Sequence, residues 1–173
     1  MPGSGKSTIV SALKNRGFEA LNLGDGVRAE AQRRNLEPSG DNLGKLMLEL
    51  REKNGPGAIA ALLTEPIKNS QSKVIIVDGV RSTAEIEVLK SVGSVKLLSI
   101  EATADTRYKF LSSRGRSDDP ATRKKFEERD NRELGVGIGE SIAIADETIS
   151  NSNITLDELT ELAYKVIEKW TDT

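Results

Sequence analysis

The sequence predicts an α/β fold in which a mostly parallel sheet is flanked by helices. Three observations carry that expectation. Helical and strand-like segments alternate along the 173 residues. Lys73–Asp78 (KVIIVD) is a continuous β-branched run, the pattern of a strand covered on both faces. A glycine-rich opening, Met1–Gly5, runs straight into a helical pattern.

The elements follow in order. Lys6–Arg16 reads as a helix stopped by Gly17, since glycine readily takes the left-handed conformation past a helix end. Phe18–Leu23 reads as a short strand, and Asp25–Asn35 as a helix capped by Asp25. Glu37-Pro38-Ser39-Gly40 breaks the chain. Asp41–Lys53 and Pro56–Lys68 read as helices separated by Asn54-Gly55. After the KVIIVD strand come a helix at Ser82–Val92, a strand at Val95–Glu101 and a helix at Thr103–Arg114. The polar stretch Gly115–Pro120 leads to a charged helix, Ala121–Leu134. Gly137–Ala145 reads as a further short helix and Glu147–Ser150 as a short strand. Thr155–Trp170 is the last amphipathic helix, and Thr155-Leu156-Asp157-Glu158 at its start has capping-box form. No internal repeat or low-complexity linker interrupts residues 1–173, which read as one domain with one core.

Composition narrows the function. Aromatic residues are 3% of the chain, so the core must rest on Leu, Ile, Val and Ala. Net charge is −2, from 25 basic and 27 acidic residues, which argues against nucleic-acid or membrane-surface binding. There is no Cys, hence no disulfide or thiolate metal site, and a reducing, cytoplasmic setting is expected. There is no His, which removes the commonest general base and every Ser-His-Asp scheme. No apolar run approaches the ~20 residues that span a bilayer.

The opening Met1-Pro2-Gly3-Ser4-Gly5-Lys6-Ser7-Thr8 supplies all but the first position of the phosphate-binding loop G-x-x-x-x-G-K-[ST]. Phosphate oxygens need several backbone N–H groups aimed at one spot. Gly3 and Gly5 permit the tight loop and close approach. A helix beginning near Lys6 points its positive end at the same anion. Gly3, Ser4, Gly5, Lys6, Ser7 and Thr8 are thus the candidate ATP site, with Lys6 on the β/γ-phosphates and Ser7 on Mg²⁺. The competing reading, a flexible Gly/Ser terminus before an ordinary helix, ignores the specific Gly-Lys-Ser-Thr at the helix start. The missing first Gly would fall one residue before Met1. A buried strand normally precedes this loop. It buries about five apolar side chains at ~1.5–3 kcal/mol each, comparable to the whole stability of a domain. The reading therefore expects a first strand missing from this chain, with a natural start roughly eight residues earlier or the slot filled otherwise.

Other constellations agree. Gly24-Asp25-x-x-Arg28 stands at the end of the second expected strand. Asp25 and Arg28 share a helix face, and the arginine fork suits phosphate. An N-cap Asp with an i,i+3 salt bridge is the alternative. Val74–Asp78 ends in Asp, which suits a carboxylate holding a water on Mg²⁺, so Asp78 is a candidate metal residue. Gly79 would admit a substrate to the backbone, and Arg81 is a candidate substrate contact. The segment from Arg107 to Arg132 is Arg-rich; Arg107 and Arg114 lie two turns apart, followed by Gly115-Arg116-Ser117-Asp118-Asp119. Arg123 and Arg132 read as helix-surface ion-pair partners.

These motifs resemble known kinases. Gly24-Asp25-x-x-Arg28 resembles the Gly-Asp-x-x-Arg of adenylate kinases, whose Arg grips the acceptor phosphate. Arg81 resembles the Arg after Asp-Gly in the same enzymes, one residue early. Gly115–Asp119 resembles the lid exit of nucleoside-monophosphate kinases, where arginines clamp the transferring phosphoryl group; this implies a catalytic role for Arg107 and Arg116. Ala145-Asp146-x-x-Ile149-x-Asn151 resembles dephospho-CoA kinases, in which the following loop lies against adenine. Met1–Ser7, Asp78–Ser82, Arg116–Asp119 and Gly137–Glu140 together resemble an archaeal P-loop kinase-like family related to adenylate and dephospho-CoA kinases. The resemblance implies a P-loop NTP hydrolase fold of the nucleoside-monophosphate-kinase type, with acceptor-binding helices over about 25–69 and a short helical lid over about 107–134. It implies ATP and Mg²⁺ as cofactors and a small nucleotide-like acceptor as partner. The expected reaction is transfer of the γ-phosphoryl group to that acceptor. If the acceptor is a hydroxyl, as in dephospho-CoA-type kinases, Asp25 is the best-placed base. A nucleotide-binding regulator without an acceptor is the second hypothesis. Gly137–Glu140 reads as a helix start or a lid hinge.

Overall fold

The computed structural model describes residues 1–114 and 119–171. In chain order these are α1 (Lys6–Asn15), β1 (Glu19–Asn22), α2 (Leu23–Arg33), α3 (Gly40–Asn54), α4 (Ala58–Ala61) and α5 (Thr64–Asn69). Then follow β2 (Ile75–Asp78), α6 (Thr83–Lys90), β3 (Leu98–Glu101), α7 (Ala104–Arg114) and α8 (Arg123–Val136). The last are α9 (Ile138–Ala143), β4 (Glu147–Ser150) and α10 (Leu156–Thr171). They form two compact units, Met1–Gly17 with Lys96–Thr173, and Phe18–Val95.

In the unit Phe18–Val95, β1 and β2 pair in parallel, with Glu19 opposite Ile75 and Asn22 opposite Asp78. A parallel pair needs a crossover, and α2–α5 supply it. Leu23, Val27 and Ala31 recur at helical spacing on α2 and bury against Leu46 and Leu50 of α3 and Ile59 of α4. The β2 run is half-buried, where full burial was expected; β1 is its only paired neighbour among the described residues. The expected helix 56–68 is two pieces, α4 and α5, interrupted at Leu62-Leu63. Pro66 explains the break: it lacks the N–H that would bond to Leu62, and it is tolerated in the first turn of a new helix. The expected cap of α2 also moves. Asn22 accepts from the amides of Gly24 (2.8 Å) and Asp25 (3.3 Å), so Asp25 lies within the first turn.

In the other unit, β3 and β4 pair in parallel with Leu98 opposite Glu147 and Glu101 opposite Ser150. Asp146 fixes the start of this pair. Its carboxylate accepts from the Leu97 amide at 2.8 Å and from Lys96 Nζ at 3.0 Å, and the amide bond chiefly holds its pKa below the ordinary value. Ile9 and Leu13 of α1 are buried, as are Leu159, Ala163 and Ile167 along one face of α10. Phe126 is buried with its ring edge-on to Tyr108, centroids 5.5 Å apart. The capping box forms as expected: Thr155 Oγ1 accepts from the Glu158 amide, and Glu158 accepts from the Thr155 amide at 2.7 Å. Gly137, at φ 107°, both ends α8 and begins α9. Among the described residues, no helix is long and apolar enough to cross a membrane.

Candidate functional site

Each unit gathers chemistry-bearing residues at the carboxyl ends of its strands, where α/β sheets bind ligands. In the first unit the residues are those of the opening loop. Gly3 and Gly5 adopt φ 79° and 101°, a conformation that L side chains rarely take. There is also no room for a side chain. A Cβ on Gly3 would sit 2.8 Å from the Arg107 carbonyl oxygen, and one on Gly5 would sit 2.7 Å from Asn151 Nδ2. Between them Ser4 is fully buried, and its carbonyl accepts from Asn151 Nδ2 at 3.0 Å. Asn151 is 2% exposed and follows β4; its amide donates to the Glu101 carbonyl at the end of β3. A strand-end asparagine therefore ties the loop to both strands.

The loop then enters α1. The first bonds of its ladder run from the Thr8 and Ile9 amides to the Gly5 carbonyl. The amides before Thr8 lie ahead of that ladder, as at any helix start, and the positive end of the helix points the same way. Lys6 Nζ folds back over the loop, donating to the Met1 carbonyl at 2.7 Å and Ser4 Oγ at 3.2 Å. Ser7 and Thr8 are exposed in the first turn.

Arg107, expected as a catalytic lid arginine, lies at the back of the loop. It is 6% exposed and grips Asp130 of α8 through both terminal nitrogens, the Nη1 bond being 2.8 Å. The same Nη1 donates to the Pro2 carbonyl at 3.1 Å, and the guanidinium lies 4.9 Å from the centre of the Phe126 ring. Its donors are turned into the protein, so it braces the loop from behind. Arg114 pairs with Asp119 and is exposed. Arg123 pairs with Asp105 and Glu127, the helix-surface role expected. Arg116 lies outside the described residues.

In the second unit, Asn22 and Asp78 stand opposite each other at the strand ends, and Asn22 Nδ2 donates to Asp78 Oδ2 at 3.0 Å. Gly79 follows at φ 95°. Asp25 and Arg28 form an exposed i,i+3 pair at 2.5 Å, the ion-pair half of the alternative reading, while the cap is Asn22. The Arg81 amide donates to Glu85 Oε2 at 2.8 Å. Glu85 is 1% exposed, caps the turn that carries Arg81, and meets Arg51 Nη2 at 3.3 Å. A cavity of about 380 Å³ opens beside Asp25, between β1, α2 and the α4–α5 junction.

The residues suit a nucleotide and its magnesium. The loop offers main-chain donors, a lysine and a hydroxyl. Among the described residues, no cluster of three or more acidic side chains could hold a metal alone. Asn151, Asp130, Asn22 and Glu85 escaped the sequence reading as site residues. Only Asn151, in Ala145–Asn151, had stood within a motif.

Residues 1–127 match the family described as AAA domain. The chain is 42% identical over 173 residues to a UPF0200 protein of Methanothrix thermoacetophila, covering 98% of this chain and 93% of that one. It is 40% identical over 158 residues to a UPF0200 protein of Pyrococcus abyssi, covering 88% and 84%. Its structure matches TT1252 from Thermus thermophilus with a TM-score of 0.67 at 16% identity, covering 96% of this chain and 93% of that one. It matches shikimate kinase from Bacteroides thetaiotaomicron with a TM-score of 0.65 at 14% identity and the same coverage.

Proposed function

This chain belongs to the AAA-domain family and to the UPF0200 proteins, with the fold of the P-loop kinases, and from that premise we propose that it transfers the γ-phosphoryl group of ATP to a small acceptor. One observation supports this reading above the rest: two left-handed glycines shape a loop that runs into α1 with Lys6 folded over it. Gly3–Thr8 bind the polyphosphate, and Lys6 moves from Met1 and Ser4 onto the β/γ-phosphates. Mg²⁺, when bound, neutralises charge on the phosphates, with the Ser7 hydroxyl and Asp78, through water, as its protein ligands. Arg107 holds the loop in shape. Asp25, Arg28 and Arg81 contact the acceptor, and Arg116 adds positive charge to the transferring group. Binding that excludes water then favours transfer over hydrolysis.

The test is calorimetric titration of ATP·Mg²⁺, followed by ADP release against nucleoside monophosphates, dephospho-CoA and simple alcohols. Binding that is lost in Lys6→Ala, with turnover that depends on one acceptor, is the expected result. ATP affinity unchanged in Lys6→Ala would refute the site. Slow hydrolysis indifferent to every acceptor would mark a nucleotide-binding regulator instead.

A further inference from the structure

A glycine does not hold an unusual conformation by itself. Gly5 sits at φ 101°, and a residue without Cβ takes negative φ about as readily. The Ser4–Gly5 peptide is therefore free to turn over unless a neighbour fixes it. Two buried side chains grip this stretch, both within the unit Met1–Gly17 and Lys96–Thr173. Arg107 donates to the Pro2 carbonyl at 3.1 Å, and Asn151 Nδ2 donates to the Ser4 carbonyl at 3.0 Å. The carbonyls held are alternate ones, and each shares its peptide with a glycine amide.

A trans peptide is planar and carries its C=O and N–H on opposite edges. With the Ser4 carbonyl turned to Asn151, the Gly5 amide points away from that side chain. The Gly3 amide likewise points away from Arg107. Among the described residues, no main-chain carbonyl accepts from either amide. Amides presented in this way are the donors of an anion-binding nest. Asn151 is anchored well enough to set such a plane. It directly follows β4, is 2% exposed, and its own amide donates to the Glu101 carbonyl at 2.7 Å. The fit against Gly5 is close: a Cβ there would lie 2.7 Å from Asn151 Nδ2 and 3.0 Å from Leu159 Cδ2.

We infer that Asn151 is a positioning residue for polyphosphate: it fixes the Ser4–Gly5 peptide so that the Gly5 N–H faces the phosphates, and it does not touch them itself. The inference rests on the reading of Gly3–Thr8 as the polyphosphate site and adds to it a residue from the other end of the chain. Asn151 acts on a main-chain donor, not on a base or an acceptor. Its effect is therefore the same for pyrophosphate as for ATP. Exchanging its NH₂ for an oxygen reverses the device. In Asn151→Asp a carboxylate oxygen faces the Ser4 carbonyl oxygen, and both are acceptors only. The peptide then turns over, and the Gly5 amide donates inward to the carboxylate instead of outward to a ligand.

Pyrophosphate·Mg²⁺ and ATP·Mg²⁺, each titrated into the ¹⁵N-labelled full chain and followed by calorimetry, test this. In the native chain the Gly5 amide signal should shift saturably with both ligands. Asn151→Ala should weaken both by about tenfold, the scale of one buried hydrogen bond. Asn151→Asp should weaken both by roughly tenfold or more and abolish the Gly5 shift. Either variant serves if the other fails to fold, and the native Gly5 signal needs no variant at all. Ile167→Val separates positioning from general loss of stability: it should lower the melting temperature and leave both affinities within about twofold. A Gly5 amide that stays still while pyrophosphate binds, affinities unchanged in both Asn151 variants, or a loss confined to ATP would each overturn the inference. The two readings fail differently. If Lys6→Ala abolishes binding while the Asn151 variants keep it, the site stands and this inference falls. If the native chain binds neither ligand, the site falls and takes the inference with it.

Discussion

Arg107 and Asp130 illustrate how a side chain can serve a site it does not touch. The pair is bidentate and largely buried, Arg107 fully so and lying over the Phe126 ring, with a further donation directed to the Pro2 carbonyl. Removing one partner of such a pair leaves an uncompensated buried charge, at a cost of ~3 kcal/mol or more. Asp130→Asn is therefore expected to lower the unfolding free energy by about that amount and to weaken ATP binding, because the loop loses its brace. Arg107→Lys should weaken ATP binding too: a lysine keeps the charge but cannot hold both carboxylate oxygens and Pro2 together. Chemical denaturation and calorimetry check both. Little of this was legible. Lys6 could be found because its motif is contiguous, whereas Asp130 lies 23 positions from its partner in a helix full of similar charges. Asn22 and Asp25 are both good helix caps, and only the structure shows which one faces the amides.

Elements were more readable, because periodicity and turn chemistry act locally. The α10 capping box follows from four consecutive residues and forms as read. Thr155→Ala should cost ~1 kcal/mol, seen as a lowered urea midpoint with an unchanged slope. The α4–α5 break was also written in the chain, at Pro66, but an apolar run of helical length concealed it. On α2, the arginine cluster makes a pH prediction. Glu30 has its pKa lowered from 4.5 to about 2, chiefly by its bonds to Arg33. A group depressed on folding stabilises the fold fully above its unfolded value, and that contribution disappears as pH falls through the folded one. The stability advantage of the native chain over Glu30→Gln should therefore be constant above about pH 5 and shrink between 4.5 and 2. An advantage that persisted undiminished at pH 2 would contradict the assignment.

For the molecule as a whole, fold class was legible and the outward partners of the strands were not. Alternating segments and the KVIIVD run foretold parallel pairing, since only a helical crossover joins such strands. The sequence pattern could not say that both β1–β2 strands would be half-exposed, because hydropathy records composition and not neighbours. Ligand binding gives a global readout. A ligand that binds only the folded state at 100 times its Kd stabilises it by ~2.7 kcal/mol. ATP·Mg²⁺ should raise the melting temperature in proportion, and Lys6→Ala should erase the rise without lowering the ligand-free value comparably.

The bond from Asn151 to the Ser4 carbonyl spans 147 positions. The glycine loop thus waits for a distant part of the chain to fold before it is tied down. A nascent chain arrested at residue 140 would carry the whole glycine-lysine motif and still grip nucleotide poorly, whereas one released past residue 151 would grip it well.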